Sequence, residues 1–352
     1  MCSSAGTLRV TGVTPQSGVP KEAWMNGERS DTLSTYRHLR LAMALLLALL
    51  LVAVGLRAWS APPGICFEGS ISAYYFTSVR AVFVTALCAL GTCLIVYRGN
   101  TDAEDIALNA SGTLAFVVAF VPTGEPKTTG VTCSASNVPG PGQLDDALNN
   151  NMVAMIIVSF VAIAVAMILV DSSTRRARNS PGVALRAFLG VLVLGSLAYA
   201  RWPEGFRDHA HNTAAFGTFL GILAVVALNA YDSGMERRSM GGLGRETLEL
   251  PSTTLERAPD VPAPEGVADG DLEELRRRVI ARKWYVAIWT LMVVSMVSIG
   301  LAYWLVSDWR HGVLWIEAVL MLEFLAFWVV QTYELWHKTR RDAPPVDAWV
   351  VS

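Results

Sequence analysis

The sequence predicts an all-α fold, a polytopic membrane helix bundle with eight transmembrane helices, on three observations. The 352 residues are 53% hydrophobic and only 16% charged, whereas soluble domains are about 25% charged. Eight apolar runs approach the length of about 20 residues that a helix needs to cross a hydrocarbon core. The basic residues are concentrated on alternate connecting segments. A net charge of −2 without a basic domain argues against a nucleic-acid partner.

Each apolar run has boundaries that suit a membrane helix. The first is short, but Arg40, Arg57 and Trp59 flank it and can reach the two interfaces. The third ends at Pro122, because proline does not continue a helix. The fourth, MVAMIIVSFVAIAVAMILV, contains no charge. The predicted spans are 41–58, 73–97, 105–122, 152–170, 183–200, 213–230, 284–306 and 312–333.

The orientation follows from the basic residues. With the N-terminus inside, 22 of the 28 Lys and Arg residues fall on inner segments. An even number of spans with both termini in the cytoplasm fits this bias. About forty mainly polar residues precede Leu41, so the first run is expected to be retained and not cleaved as a signal peptide. We expect a multi-pass protein of the plasma membrane.

The chain divides into a six-helix part and a two-helix part. We predict a cytoplasmic tail at 1–40, a six-helix bundle at 41–232, a cytoplasmic linker at 233–282, a two-helix hairpin at 283–335 and a cytoplasmic tail at 336–352. The linker is rich in Pro, Gly and acidic residues, which predicts that it is largely disordered. Its end, DLEELRRRVIARKW, predicts a helix that rests on anionic lipid, with docking of a protein partner as the alternative.

The polar stretch before the second span has two readings. It is either an aromatic belt with a snorkelling Arg80, or a polar pocket at the outer rim that receives an anionic or lipid headgroup. The pocket would be formed by Glu68, Ser70, Ser72, Tyr74 and Arg80.

Residues 70–83 carry a resemblance. The run SISAYYFT at 70–77, followed by Arg80 and Phe83, resembles a segment of uncharacterised bacterial multi-pass membrane proteins. Those proteins continue with a short Gly/Asp turn and an N-x-x-G helix, and this chain has Gly99, Asp105, Asn109 and Gly112 in matching places. The ending FWVVQTYELW, 327–336, resembles that of actinobacterial members. The resemblance implies an integral membrane fold and no known activity.

A more distant resemblance is to the alkaline ceramidase and progestin/adiponectin receptor superfamily of metal-dependent lipid amidases and their relatives. That superfamily has Ser-x-x-x-His on its second span and His-x-x-x-His on its last. Here Phe76 stands four residues after Ser72, and the sequence contains no His-x-x-x-His. The resemblance therefore does not predict a zinc site in this chain.

Two groups of residues are candidates for a metal or a disulfide. Asp208, His209 and His211 could ligate zinc together with Glu68 or His311, although no cofactor is the favoured expectation. The alternative is a solvated loop in which Asp208 helps to start a helix. Cys66 and Cys133 fall in outer loops, where an oxidising exterior would allow a disulfide between them.

Glu323 lies midway along the last span, and Glu317 lies nearer its outer end. Ionisable groups inside a span are costly and are candidates for function. Glu323 is either a proton- or cation-binding carboxylate or a neutral acid hydrogen-bonded between helices. The two residues lie about 120° apart around the helix, so they would not share a partner.

The favoured function is non-catalytic: a scaffold, sensor or accessory subunit of the cell envelope, because no catalytic motif is present in the sequence. One alternative is a metal-assisted lipid hydrolase of the outer leaflet, with His209, His211 and Glu68 as ligands and Arg80 on the headgroup. The other is a proton-coupled transporter that uses Glu323. The sequence leaves open whether the protein is an enzyme.

Overall fold

The computed structural model describes residues 21–60, 66–123, 143–169, 190, 193–240, 269–305 and 311–341. Of these described residues 87% are helical and none is in a strand. Five of the described helices are long and apolar enough to cross a membrane, and two shorter apolar helices accompany them. The fold is therefore all-helical, with the apolar helices of a membrane protein.

Each of the seven described α-helices overlaps one predicted span, whereas most of the first half of the predicted span 183–200 lies outside the described residues. These helices are α1 (Lys21–Trp59), α2 (Arg80–Val96), α3 (Asp102–Phe120), α4 (Gln143–Leu169), α5 (Pro203–Met240), α6 (Asp269–Leu305) and α7 (Gly312–Glu334). A 3-10 helix, Ser72–Phe76, lies between α1 and α2. Residues 193–201 are also helical.

Several boundaries differ from the prediction, and α1 and α4 begin before their predicted spans, at Lys21 and Gln143. The second span was predicted from residue 73, but α2 begins at Arg80, because the preceding residues form the 3-10 turn and Thr77 is extended. The helices α5 and α6 extend into the predicted linker, since α5 continues to Met240 and α6 begins at Asp269. The intervening residues 241–268 lie outside the described part of the chain.

Six of the helices form a closed ring. In order around the ring they are α1, α2, α3, α5, α6 and α7, and α7 packs again on α1. Leu50, Phe83 and Phe324 are among the fully buried residues of its core. The helix α4 packs less extensively, with Leu148 and Met152 in a small apolar cluster with Val121 at the end of α3. The predicted C-terminal hairpin, α6 and α7, is thus part of the same bundle as the other spans.

Small residues allow the helices of the ring to approach closely. A Cβ atom on Gly91 would lie 2.7 Å from the Gly112 carbonyl oxygen, and one on Gly112 would lie 2.6 Å from that of Gly91. Backbones of α2 and α3 therefore touch, as in small-residue contacts of membrane helices. Ser111 Oγ donates to the Thr218 carbonyl oxygen of α5 at 3.3 Å, which ties α3 to its other neighbour.

Candidate functional site

One end of the ring is closed by a buried polar network centred on Arg341, just after α7. The Arg341 guanidinium donates to both Glu334 carboxylate oxygens at 2.8 and 2.9 Å, and to Asn229 Oδ1 at 2.9 Å. Its backbone N–H donates to Asn100 Oδ1 at 3.0 Å. Burial alone would lower the pKa of Arg341, but the hydrogen bonds and charge of Glu334 outweigh it, so the pKa is raised well above its ordinary value. Arg341 is therefore a permanent buried cation.

Asn229 joins this pair to a second carboxylate. Its side-chain amide donates to Glu104 Oε1 at 2.9 Å, while its oxygen accepts from Arg341. Glu104 also accepts from the Asn100 backbone N–H at 2.8 Å. Tyr285 of α6 donates to Glu334 at 2.6 Å. The carboxylates of Glu104 and Glu334 and the guanidinium of Arg341 thus belong to one hydrogen-bonded network.

Arg40 of α1 completes the same end of the ring. It is fully buried, and it donates to Tyr97 Oη at 3.1 Å and to the carbonyl oxygens of Leu335 and Thr339 at 2.9 and 2.7 Å. Carbonyl groups that follow a helix end are natural partners for a cation. Each of the six ring helices, or the residues next to it, contributes to this end, which we call the network end.

Sequence reasoning did not find the network. Arg341 is one of the 22 basic residues on the predicted inner segments, and no motif in the sequence distinguishes Glu334 or Asn229 from other polar residues. The one available signal was an acid followed seven residues later by an arginine, directly after an apolar run. Such a pair is common enough that it does not identify its partners.

The inward face of α7 carries polar atoms without partners. Trp328 Nε1 and both polar atoms of the Gln331 side chain are buried and have no hydrogen-bond partner among the described residues. Glu323 Oε1 accepts from Ser295 Oγ of α6 at 2.9 Å, but its Oε2 is buried and unpartnered. The hydrogen bond to α6 fits the inter-helix reading of Glu323. The free oxygen leaves capacity for a proton or a cation.

At the opposite end of the ring, residues 66–79 lie against the start of α7; we call this the loop end. Glu317 accepts from the Ile71 backbone N–H at 2.6 Å and lies 3.4 Å from Ser72 Oγ. His311 Nδ1 donates to the Glu68 carbonyl oxygen at 3.1 Å. Burial raises the pKa of the Glu68 carboxyl, although Arg57 and His311 partly oppose the shift.

The structure brings only part of the predicted outer pocket together. Glu68, Ser72 and Tyr74 belong to the loop end, and Glu317 joins them. Arg80 instead donates to Tyr75 Oη at 2.7 Å, and its guanidinium lies 4.3 Å from the centre of that ring. The Tyr75 ring is itself buried in the bundle, whereas the aromatic side chains of a membrane belt are exposed at the interface. The Ser70 hydroxyl accepts from the Ala73 backbone N–H and so shapes the turn.

The predicted metal ligands point to different neighbours. His211 is buried, and its Nδ1 donates to the Val121 carbonyl oxygen at 2.6 Å. His209 is exposed and stacks on Trp202 with 5.8 Å between ring centres. Asp208 lies in α5, and His311 lies at the loop end. Within the described residues no group of three His, Cys, Asp or Glu side chains is arranged to hold a metal.

Cys66 is disulfide-bonded. The two other described cysteines, Cys88 and Cys93, are free, so the partner of Cys66 lies outside the described residues. The predicted partner Cys133 is in that part of the chain.

Comparisons of this chain with protein-family models, with curated protein sequences and with solved structures find no match. Its function must therefore be argued from the geometry of the ring.

Proposed function

We propose that this chain is a non-catalytic multi-pass protein of the plasma membrane, a sensor or accessory subunit in which α7 couples the loop end to the network end. The observation that carries the proposal is that α7 is hydrogen-bonded at both of its ends to other elements of the chain. Glu317 accepts from the Ile71 N–H at one end, and Glu334 accepts from Tyr285 of α6 at the other.

The geometry of α7 suits such a role. The helix has 23 residues and is thus about 34 Å long, close to the thickness of a hydrocarbon core. A helix of this kind moves as a rigid body, so a shift of residues 66–79 at its start would displace Glu334 at its end. The unpartnered polar atoms of Gln331 and Trp328 lie between the two ends. They would favour a second arrangement in which they gain partners.

Eight spans with cytoplasmic termini form part of the proposal. His211 at the start of the α5 span contacts Val121 at the end of α3, while Asn229 near the end of that span contacts Glu104 at the start of α3. The two helices are therefore antiparallel, and the intervening chain leaves and returns on the same side. An even number of crossings there, one of them α4, supports eight spans in all.

The coupling is tested by hydrogen–deuterium exchange of the full chain in lipid nanodiscs. Glu317→Leu is expected to raise exchange at 66–79 and also at 335–341, because loss of the outer contact would free the start of α7. Val319→Leu, an exposed position of the same helix, is the control and should leave both segments unchanged. A rise confined to 66–79 would rule out the coupling.

A second candidate function is proton-coupled transport through Glu323. It is favoured by the buried, unpartnered Oε2 atom of that residue within a candidate span. We expect the infrared carbonyl band of protonated carboxylic acids to change with pH in the wild type, and one component of this change to be absent in Glu323→Gln. Glu317→Gln is the matched control from the same helix. An unchanged band in Glu323→Gln would remove this candidate.

A further inference from the structure

The start of α6 carries the densest positive charge of the described chain. Arg276, Arg277, Arg278, Arg282 and Lys283 fall within eight positions, directly before the apolar part of the helix. The acidic residues of this helix all lie at 269–274, farther from the apolar part. Because 1.5 Å of helix separates successive residues, the basic group lies within about 12 Å of Trp284. The headgroup layer is about 5–8 Å thick on each side of the hydrocarbon, and long basic side chains of this segment can extend along the helix to reach it.

One of these cations bridges to α7. The Arg277 guanidinium lies 5.5 Å from the centre of the Tyr333 ring. Tyr333 is 43% exposed and lies on the outward face of α7. The arginine therefore lies over the groove between α6 and α7. The planar fork of N–H groups in a guanidinium matches the geometry of a phosphate, and guanidinium groups also pack on aromatic rings.

The surroundings of this groove suit a lipid. Trp284 is exposed at the same level, and tryptophan and tyrosine are enriched where hydrocarbon meets headgroups. Toward the middle of the helices the exposed side chains are apolar, with Leu291 on α6 and Val329 on α7. A headgroup bound at Arg277 would therefore place its acyl chains along an apolar surface.

We propose that the groove between α6 and α7 at the network end binds the phosphate headgroup of an anionic diacyl phospholipid. Arg277 and Tyr333 form the centre of the site. Trp284 lies beside it, because seven residues after Arg277 bring it back to the same face of α6. Basic pockets between membrane helices on the cytoplasmic side recognise such headgroups. The apolar continuation of the groove selects a lipid over free phosphate.

The helix supplies a matched control for diffuse electrostatic attraction. Arg282 is exposed and lies five residues after Arg277, which turns it by about 140° around α6. Replacement of either arginine by glutamine removes one charge from the same basic group. Only the replacement at Arg277 removes the residue that lies over the groove.

The test is native mass spectrometry of the detergent-purified full chain with added phosphatidylglycerol or phosphatidylcholine. We expect one phosphatidylglycerol to be retained by the wild type and by Arg282→Gln. Retention should fall at least tenfold in Arg277→Gln and in Tyr333→Leu, while Tyr333→Phe keeps the ring and keeps the lipid. Thermal unfolding of each variant checks that it is folded.

Three results would overturn the site. Equal losses in Arg277→Gln and Arg282→Gln would mean diffuse attraction, and equal retention of phosphatidylcholine would mean no recognition of the headgroup charge. Displacement of the bound lipid by millimolar inorganic phosphate would mean that the groove takes free phosphate. If Arg277→Gln does not fold, Tyr333→Leu against Tyr333→Phe decides the question.

Discussion

The two ends of the helix ring differ in the number of buried polar contacts that hold them together. At the network end, Arg40, Glu104 and Arg341 are almost fully buried, and their polar contacts come from all six helices of the ring. At the loop end, the segment 66–79 has fewer polar contacts. Among them, the Ile71 N–H donates to Glu317 of α7, and the Cys66 N–H donates to the Ala58 carbonyl oxygen of α1.

This difference separates a fixed end from an adjustable one. A buried network with many satisfied partners resists change, because breaking one bond leaves several groups unpaired. The loop end is held mainly by buried apolar side chains such as Ile71 and Phe76, so the loss of one polar contact there costs less free energy. We therefore expect substitutions at the network end to lower the free energy of unfolding strongly. Substitutions at the loop end should lower it only slightly, although their effect on hydrogen exchange should still reach 335–341 through α7.

The largest effect is expected at the centre of the network. Arg341→Leu leaves Glu334 as an unpaired buried charge and should lower the free energy of unfolding by about 3–5 kcal/mol. The measurement is denaturant unfolding in mild detergent, followed by circular dichroism. The neighbouring Arg340→Gln is the control and should change stability by less than about 0.5 kcal/mol. Equal effects at both positions would refute the importance of the network.

A smaller loss is expected where the backbone touches the network. A Cβ atom on Gly99 would lie 2.6 Å from Glu104 Cγ, so Gly99→Ala must push Glu104 from its partners. We expect a cost of about 1–3 kcal/mol in the same unfolding assay. Gly55→Ala, where nothing lies within 4 Å of the added atom, should be neutral or slightly stabilising. A stable Gly99→Ala protein would show that Glu104 can move freely.

At the loop end, Glu317→Gln keeps an oxygen that can accept the Ile71 N–H but loses the charge. We expect a loss of about 1 kcal/mol or less. Hydrogen exchange should rise at 66–79, because this bond holds that segment. A loss as large as that of Arg341→Leu would erase the distinction between the two ends.

The smallest effect is a pH dependence from Glu68. Because burial raises its pKa above the ordinary 4.5, the folded protein binds this proton more readily than the unfolded chain. The contribution of Glu68 to the free energy of unfolding therefore increases as the pH falls from neutral toward 4.5. Glu68→Gln should lose this increase, as measured by melting temperature between pH 7 and pH 5. Ser78→Ala, an exposed neighbour, should retain it, and a wild-type pH response in Glu68→Gln would contradict the account.

Much of the helix placement could be predicted from the sequence. The spans 41–58, 213–230 and 312–333 lie within α1, α5 and α7, because an apolar run of sufficient length has few alternatives to a helix in a membrane. The start of the second span was missed. There the Ile71 N–H donates to Glu317, which is 246 positions away. A hydropathy pattern describes neighbouring residues only, so it does not predict that contact.

The polar network was beyond sequence reasoning for the same reason. Arg40 meets Tyr97 across 57 positions, and Arg341 meets Asn229 across 112. Periodicity shows which residues form a helix, but it does not show which helices become neighbours. Glu323 was found because a carboxylate inside an apolar run is conspicuous, whereas Asn229 near the end of one is not.

A double-mutant cycle between Arg341 and Asn229 tests most directly whether distant helices meet in one network. The two single replacements by leucine and the double replacement are compared by their free energies of unfolding in detergent. The 2.9 Å contact between the two side chains predicts a coupling energy of about 1 kcal/mol or more. Additive losses, within about 0.5 kcal/mol, would mean that the residue after the last helix and the residue on α5 do not touch.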